Sequence, residues 1–159
     1  MKNKIFITAC LVLITWALCL TVQAQTSPVA QPSLLDNYPW TSHDLVEPAT
    51  LAAVIKDNPS KTPLILNIGA VEDIKGAKHI GPANKAENIA ALKNTVSALP
   101  KNTEIVIYCG CCPFTKCPNA QPAFKELKAM GFTNIKLLNL PVNLRTNWTS
   151  KGYPLAAAN

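Results

Sequence analysis

Four cysteines stand close together in the chain and are its most reactive group of residues. Cys109, Cys111, Cys112 and Cys117 lie within nine residues of one another. The thiolate form of cysteine is a strong nucleophile and a ligand for soft metal ions, and neighbouring thiols also form disulfides. The spacing therefore points to three kinds of chemistry, which are covalent sulfur transfer, thiol–disulfide exchange and metal binding.

The segments on either side of these cysteines predict how they are positioned. Ile105 to Tyr108 is a run of β-forming residues, which predicts a strand buried on both faces of a parallel sheet. After Asn119, apolar residues recur at helical spacing and predict a helix from Ala120 to Met130, closed by Gly131. Cys109 thus falls at the carboxyl end of a strand, where ligands bind in open α/β sheets. The helix that follows can favour an anion such as a thiolate.

Helical and strand patterns alternate along the rest of the chain. Helical spacing covers residues 48–56 and 87–99, buried-strand patterns cover 64–68 and 135–138, and a last helical segment covers 142–151. Residues 69–81 show no regular period. Such alternation predicts an α/β fold, with a parallel sheet flanked by helices on both faces.

The N-terminus is typical of a secretory signal peptide. Lys2 and Lys4 precede an uncharged run from Ile5 to Val22, and small residues lead up to Ala24. We predict cleavage after Ala24, so that residues 1–24 are removed and the protein is exported, either periplasmic or secreted. The alternative is an uncleaved membrane anchor, since the run is long enough to span a bilayer. Processing at Ala24 leaves no stable membrane span.

The remaining chain divides into a tether and one domain. Residues 25–41 are rich in Pro, Ser and Gln and predict a tether, whereas residues 42–159 are long enough for one domain with a substantial core. The formal charge is +6, of which two lysines belong to the predicted leader. The other lysines are scattered and Arg145 is the one arginine, so the sequence does not favour nucleic-acid binding.

Several segments, taken in order, resemble a single-domain rhodanese. They are the strand before Cys109, the Gly131-Phe132 helix end, the early strand Leu64–Ile68, the segment Gly76 to Ala83, and the tail Trp148 to Pro154. The resemblance covers roughly residues 42–154. It implies a five-stranded parallel sheet flanked by helices, a sulfurtransferase activity, and the nucleophile at Cys109.

The sequence also departs from that family. The family's aspartate and arginine after the early strand are Asn67 and Gly69 here, and the longer cysteine loop carries Lys116 where an arginine is usual. The related dual-specificity phosphatases need an arginine six places after the cysteine to clamp phosphate. That place holds Thr115, which argues against phosphatase activity.

Sulfur transfer through Cys109 is the function that we predict. Backbone N–H groups of the loop, the following helix N-terminus and Lys116 would lower the Cys109 pKa. The thiolate would take a sulfur atom from a small donor, hold it as a persulfide and release it to a thiol or other nucleophilic acceptor, without a cofactor. The supporting loop residues are Gly110, Cys111, Cys112, Thr115, Lys116 and Cys117.

Two alternatives use the same loop differently. In an oxidising compartment Cys117 can form a disulfide with Cys109 or Cys112, either as a redox-active pair or as a structural bridge, whereas adjacent Cys111 and Cys112 would strain the backbone. The four thiolates could also bind Cu(I), although their spacing does not match structural zinc sites. The sulfur-transfer interpretation includes no metal. In the metal alternative, the ligands are Cys109, Cys111, Cys112 and Cys117.

Overall fold

The computed structural model describes residues 37–157, so the predicted signal peptide and most of the predicted tether lie outside the described residues. The strands in this range are β1 Leu45–Val46, β2 Leu64–Asn67, β3 Lys78–His79, β4 Ile105–Tyr108 and β5 Ile135–Leu138. The α-helices are α1 Pro48–Asp57, α2 Ala86–Val96, α3 Ala120–Ala129 and α4 Leu144–Asn147. Over the same residues, no helix combines the length and the apolar character that crossing a membrane requires.

The five strands form one parallel sheet in the order β1-β5-β4-β2-β3. Strand β4 is central and pairs with β2 from Leu64 opposite Ile105 to Asn67 opposite Tyr108. All four residues of β4 are buried. The predicted fold class is therefore confirmed, and so is the prediction that β4 is covered on both faces.

Successive side chains of β4 point to opposite faces of the sheet, so each face has apolar side chains against which helices pack. Ile105 and Ile107 join the core cluster that holds the buried residues of α2 and α3. Val106 and Tyr108 join the second cluster, with the buried residues of α1 and α4. The sheet thus has two hydrophobic cores, and the residue after Tyr108 emerges at its carboxyl edge.

Short elements account for most of the differences from the sequence prediction. Strands β1 and β3 have two residues each and are half-buried or exposed, so they leave no hydrophobic period to detect. Helix α2 ends at Val96 rather than Leu99, since a residue before proline disfavours helical backbone and Pro100 follows Leu99. The predicted segment 142–151 divides into α4 and the 3-10 turn Thr149–Lys151.

Two aromatic residues that precede the predicted start of the domain at Ser42 belong to its packed part. Trp40 is 1% exposed, and its ring lies edge-on to Phe124 at 5.7 Å between centroids. Tyr38 stacks on Trp40 at 5.0 Å, and its hydroxyl donates a hydrogen bond of 2.7 Å to the Thr115 carbonyl. The chain just before Ser42 therefore helps to hold the cysteine loop in place, through the hydrogen bond from Tyr38 to Thr115.

Candidate functional site

Cys109 directly follows the central strand, and the chain turns sharply after it. Gly110 has a φ of 76°, a left-handed conformation that side chains disfavour. A Cβ atom at Gly110 would also lie 2.8 Å from the Leu144 Cβ, so both backbone and space require glycine. The Leu144 N–H donates a 2.8 Å hydrogen bond to the Gly110 carbonyl, which fixes this turn to the start of α4.

The loop after β2 packs directly against Cys109. A Cβ atom at Gly69 would lie 2.3 Å from the Cys109 carbonyl oxygen and 2.9 Å from its Sγ. No side chain fits there without moving the cysteine. The close approach of the two loops therefore requires glycine at position 69.

The cysteine loop returns under Cys109 and is held at several points. The Phe114 N–H donates a 3.1 Å hydrogen bond to the Leu140 carbonyl, and residues 114–116 form a 3-10 turn. Cys117 thereby comes back beside Cys109. The Sγ atoms of Cys109, Cys111 and Cys117 all lie within 4.8 Å of one another, and all four cysteines are free thiols.

The sulfur atoms of Cys109, Cys111 and Cys112 contact one another in sequence, and Cys111 connects the buried Cys109 to solvent. The Cys109 and Cys111 sulfurs are 3.2 Å apart, and the Cys111 and Cys112 sulfurs are 3.3 Å apart. Cys109 and Cys117 are each 5% exposed, whereas Cys111 is exposed and Cys112 is half-buried. The innermost thiol is thus in contact with one that solvent reaches.

Asn119 is a site residue that the sequence analysis missed. Its Nδ2 donates a 3.1 Å hydrogen bond to the Cys109 sulfur, and its Oδ1 accepts a 2.9 Å hydrogen bond from the Asn84 N–H. The side chain is buried and makes no capping hydrogen bond, although it stands at the N-cap of α3. Asparagine before a helix is a common cap, so its position alone indicated a structural role.

Hydrogen bonds lower the pKa of the Cys109 thiol to about 5. The Cys117 thiol contributes most, burial opposes it, and the Asn119 amide and the N–H and thiol of Cys111 add to the lowering. Donors that converge on the charged form of a group stabilise that form. Lys116, expected to contribute, is exposed, and the lowering comes from these neighbours instead.

The two neighbouring thiols are held in the protonated form. Burial, together with the contacts to Cys109 and Cys112, raises the pKa of Cys111 to about 12. The pKa of Cys117 is also raised, chiefly because its thiol donates to Cys109. One thiolate and two thiols is therefore the state that the geometry favours.

Two pockets lie beside the cysteine cluster, one lined by Cys117 and the other by Cys111, and Cys109 lines neither of them. A pocket of about 430 Å³ opens at Cys117 and includes Thr115, Lys116 and Lys125. Another, of about 390 Å³, opens at Cys111 and includes Gly110 and Arg145. The structure thus brings Gly110, Cys111 and Cys117 next to Cys109, and it places Thr115 and Lys116 on the wall of the first pocket.

The cysteine cluster also has the composition of a soft-metal site. Cys109, Cys111 and Cys117 could turn three sulfur ligands toward one ion, and thiolates suit Cu(I). Cys112, the fourth predicted ligand, contacts Cys111 but lies outside this group of three. Three converging sulfurs remain compatible with the metal alternative.

Comparison with known proteins supports the fold. No family model matches the sequence, and no curated protein matches it. The solved structure of the Alr3790 protein from Anabaena sp. is similar, with a TM-score of 0.50 and 18% sequence identity over 70% of this chain and 91% of that one. The chain is accordingly an α/β protein whose parallel five-stranded sheet carries a cluster of thiols at the carboxyl end of its central strand.

Proposed function

We propose that the domain is a rhodanese-like sulfurtransferase that carries sulfur as a persulfide on Cys109. The observation that supports this most is the convergence of two thiols, one amide and one backbone N–H on the Cys109 sulfur. That arrangement keeps a buried cysteine in its nucleophilic form at neutral pH. The sequence resemblance to rhodaneses and the α/β fold agree with it.

The proposed reaction has two displacement steps. The Cys109 thiolate attacks the outer sulfur of a donor, the donor's S–S bond breaks, and its electron pair leaves with the rest of the donor. An acceptor nucleophile then attacks the outer sulfur of the persulfide, and Cys109 departs as a thiolate. Both steps benefit from a low Cys109 pKa, because such a thiol is ionised and is also a good leaving group.

The surroundings of the cluster suggest the class of donor. Lys116 and Lys125 lie on the pocket that opens at Cys117, and together they favour an anion such as thiosulfate or an ionised alkyl persulfide. The acceptor would be a small thiol or another nucleophile, and nucleic acid has no part in the reaction. We place this activity outside the cytoplasm, on the basis of the predicted signal peptide.

Persulfide mapping tests the proposal. Reduced protein is incubated with thiosulfate or an alkyl persulfide, and mass spectrometry locates the mass increase of one sulfur atom. We expect it on Cys109, and Cys109→Ser should lower turnover by at least about a thousandfold because a hydroxyl does not ionise in this range. Ser97→Ala, at an exposed residue away from the site, is the control and should retain both adduct and turnover.

Two results would contradict this assignment. One is a Cys109→Ser protein that still takes up sulfur on another loop cysteine and turns over. The other is a wild-type protein that forms no adduct with any donor.

A thiol–disulfide function is the second candidate, favoured by the 3.2 Å contact between the Cys109 and Cys111 sulfurs. The sequence analysis paired Cys117 with Cys109 or Cys112, and we add Cys111 as a candidate partner for Cys109 because of this contact. A redox-active disulfide should open in mild reductant without loss of the fold, whereas a structural bridge should resist until the domain unfolds. Redox titration followed by circular dichroism separates the two.

A copper-binding module is the third candidate, because three sulfurs lie within 4.8 Å of one another. Stoichiometric Cu(I) uptake under reducing conditions, with no sulfur transfer from any donor, would favour it over the sulfurtransferase. We expect the reduced, metal-free protein to transfer sulfur.

A further inference from the structure

We propose that Cys111 is the exit thiol of this site: it takes the outer sulfur from Cys109 and presents it to an acceptor thiol in the pocket beside Gly110 and Arg145. The inference rests on the proposed persulfide function of Cys109 and goes one step further. It assigns a second covalent sulfur carrier and a place where the acceptor binds.

Access to the sulfur atoms is the first argument. Cys109 is 5% exposed, Asn119 donates a hydrogen bond to its sulfur, and Gly69 is so near that an added Cβ atom would lie 2.9 Å from that sulfur. An acceptor must approach the outer sulfur nearly in line with the S–S bond that breaks, and a thiol attached to a peptide is too bulky to do so at a covered atom. Cys111 is exposed and its sulfur is 3.2 Å from that of Cys109.

The transfer between the two cysteines needs no further reagent. The Cys111 thiol gives its proton to the outer sulfur of the Cys109 persulfide, and the resulting thiolate attacks that sulfur. The new S–S bond forms on Cys111, the old one breaks, and its electron pair stays on Cys109 as a thiolate. Nothing is oxidised or reduced overall, and the proton remains on the transferred sulfur.

The acceptor step is balanced in the same way. A thiolate acceptor attacks the outer sulfur on Cys111, the Cys111 S–S bond breaks, and Cys111 departs with the electron pair. It then takes up the proton that the acceptor thiol released. Cys111 returns to the thiol form in which it contacts Cys109.

The hydrogen bonds around Cys109 favour transfer in the outward direction. A thiol with a lower pKa leaves faster, and Cys109 has a lower pKa than Cys111. The Cys117 thiol and the Asn119 amide are already placed to stabilise Cys109 when it departs as a thiolate. Cys111 has no comparable set of donors and is the poorer leaving group, so the sulfur comes to lie on Cys111, and its discharge depends on the exposure of Cys111 to an acceptor.

The pocket beside Cys111 fits a small thiol that carries a carboxylate. Its volume is about 390 Å³, and Arg145, Asn143 and the acidic Glu72 lie on its wall with Gly110 and Cys111. The pair of opposite charges suits a thiol that carries an ammonium group as well as a carboxylate, as glutathione does. An arginine is suited to a carboxylate because it can donate two parallel hydrogen bonds. The lysine-bearing pocket is lined by Cys117 instead, so a site for anions lies on either side of the cluster.

A single-turnover experiment tests the exit role. Reduced protein is loaded with one equivalent of sulfur from thiosulfate, separated from the donor, and mixed with either glutathione or cyanide. Alkylation at set times and peptide mapping then show where the sulfur is. The proteins compared are wild type, Cys111→Ser and, as a control away from the site, Ser97→Ala at the exposed residue that follows α2.

We expect Cys111→Ser to hold the adduct on Cys109 and to discharge it to glutathione at least tenfold more slowly than wild type. Serine keeps a hydrogen-bond donor beside Cys109 but cannot carry sulfur. Cyanide is small enough to reach Cys109, so its reaction should change less than about threefold. Ser97→Ala should match wild type with both acceptors.

Each contrary outcome has a distinct meaning. Discharge of Cys111→Ser to glutathione at the wild-type rate overturns the exit role and leaves the Cys109 persulfide intact. Equal slowing with cyanide and glutathione also overturns it, since Cys111 would then only shape the site. A wild-type protein that takes no sulfur on Cys109 overturns both the proposed function and this inference.

Discussion

The loops that follow β2 and β4 lie side by side at the same edge of the sheet, yet their polar groups have different roles. Those after β2 stabilise their own loop, and those after β4 stabilise a reactive thiolate. At the end of β2, the buried Asn67 donates 2.8 Å hydrogen bonds to the Val71 carbonyl and the Asp73 carboxylate. Its Oδ1 accepts a 3.0 Å bond from the Gly69 N–H. After β4, the neighbouring donors converge on the single sulfur of Cys109.

The same end of the sheet thus holds a structural residue, Asn67, and a reactive residue, Cys109. Asn67 is neutral and its amide is satisfied by its own loop, so it fixes that loop without becoming reactive. Asp73 also contacts His79 at 3.0 Å, which ties the loop to β3. Cys109 receives bonds that favour its charged form, and stabilising that form makes it reactive at neutral pH.

Tyr108 links the two loops. Its hydroxyl accepts a 2.9 Å hydrogen bond from the Ile74 N–H and donates one of 3.2 Å to the Glu72 carbonyl. Burial raises the Tyr108 pKa, so the hydroxyl stays protonated and acts only as a structural group. The last residue of β4 thus holds the β2 loop, and that loop in turn packs on Cys109.

The largest expected effect is on the pH dependence of Cys109 alkylation. The iodoacetamide rate at Cys109 should change less than about twofold between pH 8 and pH 6, whereas a thiol of ordinary pKa should slow by about a hundredfold. Peptide mapping gives the rate at each cysteine. The same residue in the urea-unfolded chain is the control, and an equally steep fall in the folded protein would contradict the thiolate assignment.

The stability of the reduced protein should follow the same pKa. Cys109 has a pKa of about 5 when folded, against an ordinary value of 9.0. A lowered acid pKa stabilises the folded state above the unfolded value, and this contribution is lost as the pH falls through the folded value. The urea midpoint should therefore rise from about pH 5 to about pH 9, and this rise should be absent from Cys109→Ser.

Asn67→Asp tests whether the Asn67 amide stabilises the loop that follows β2. Aspartate cannot donate to Val71 or Asp73, and it would place a buried carboxylate beside the half-buried carboxylate of Asp73. We expect the free energy of unfolding to fall by about 2–4 kcal/mol, measured in urea. Asn102→Asp, at an exposed turn, is the matched control and should change it by less than about 0.5 kcal/mol.

Equal losses in Asn67→Asp and Asn102→Asp would show that the Asn67 amide does not hold its loop. The test also addresses the departure from the rhodanese pattern at this position. A clear loss would give asparagine at position 67 a physical reason, because its amide provides two donors that a carboxylate lacks.

Asn119→Ala should have the smallest effect. It removes one donor from the Cys109 thiolate, so alkylation of Cys109 at pH 6 should slow by about five- to tenfold and approach the wild-type rate by about pH 9. Asn84→Ala is the control, since Asn84 contacts Asn119 through its backbone N–H. A uniform slowing at every pH would instead indicate altered access to the sulfur.

Sequence alone determined the fold class, the central strand and the place of Cys109 at its carboxyl end. Those features depend on local order: a run of β-forming residues, a helical period and the alternation between them. The end of α3 was predictable for the same reason, and Gly131 takes the expected left-handed backbone with a φ of 86°. Strands β1 and β3 were not predictable, because two residues are too few to show a hydrophobic period.

Only the tertiary structure decided which groups surround the Cys109 sulfur. The cysteine loop returns on itself through bonds to Leu140 and Tyr38, which are distant in sequence. That return brings Cys117 and Asn119 against Cys109 and leaves Cys111 at the surface. The spacing of four cysteines limits which contacts are possible, but the packing of the loop on the sheet edge decides which thiol is buried and ionised and which one solvent reaches.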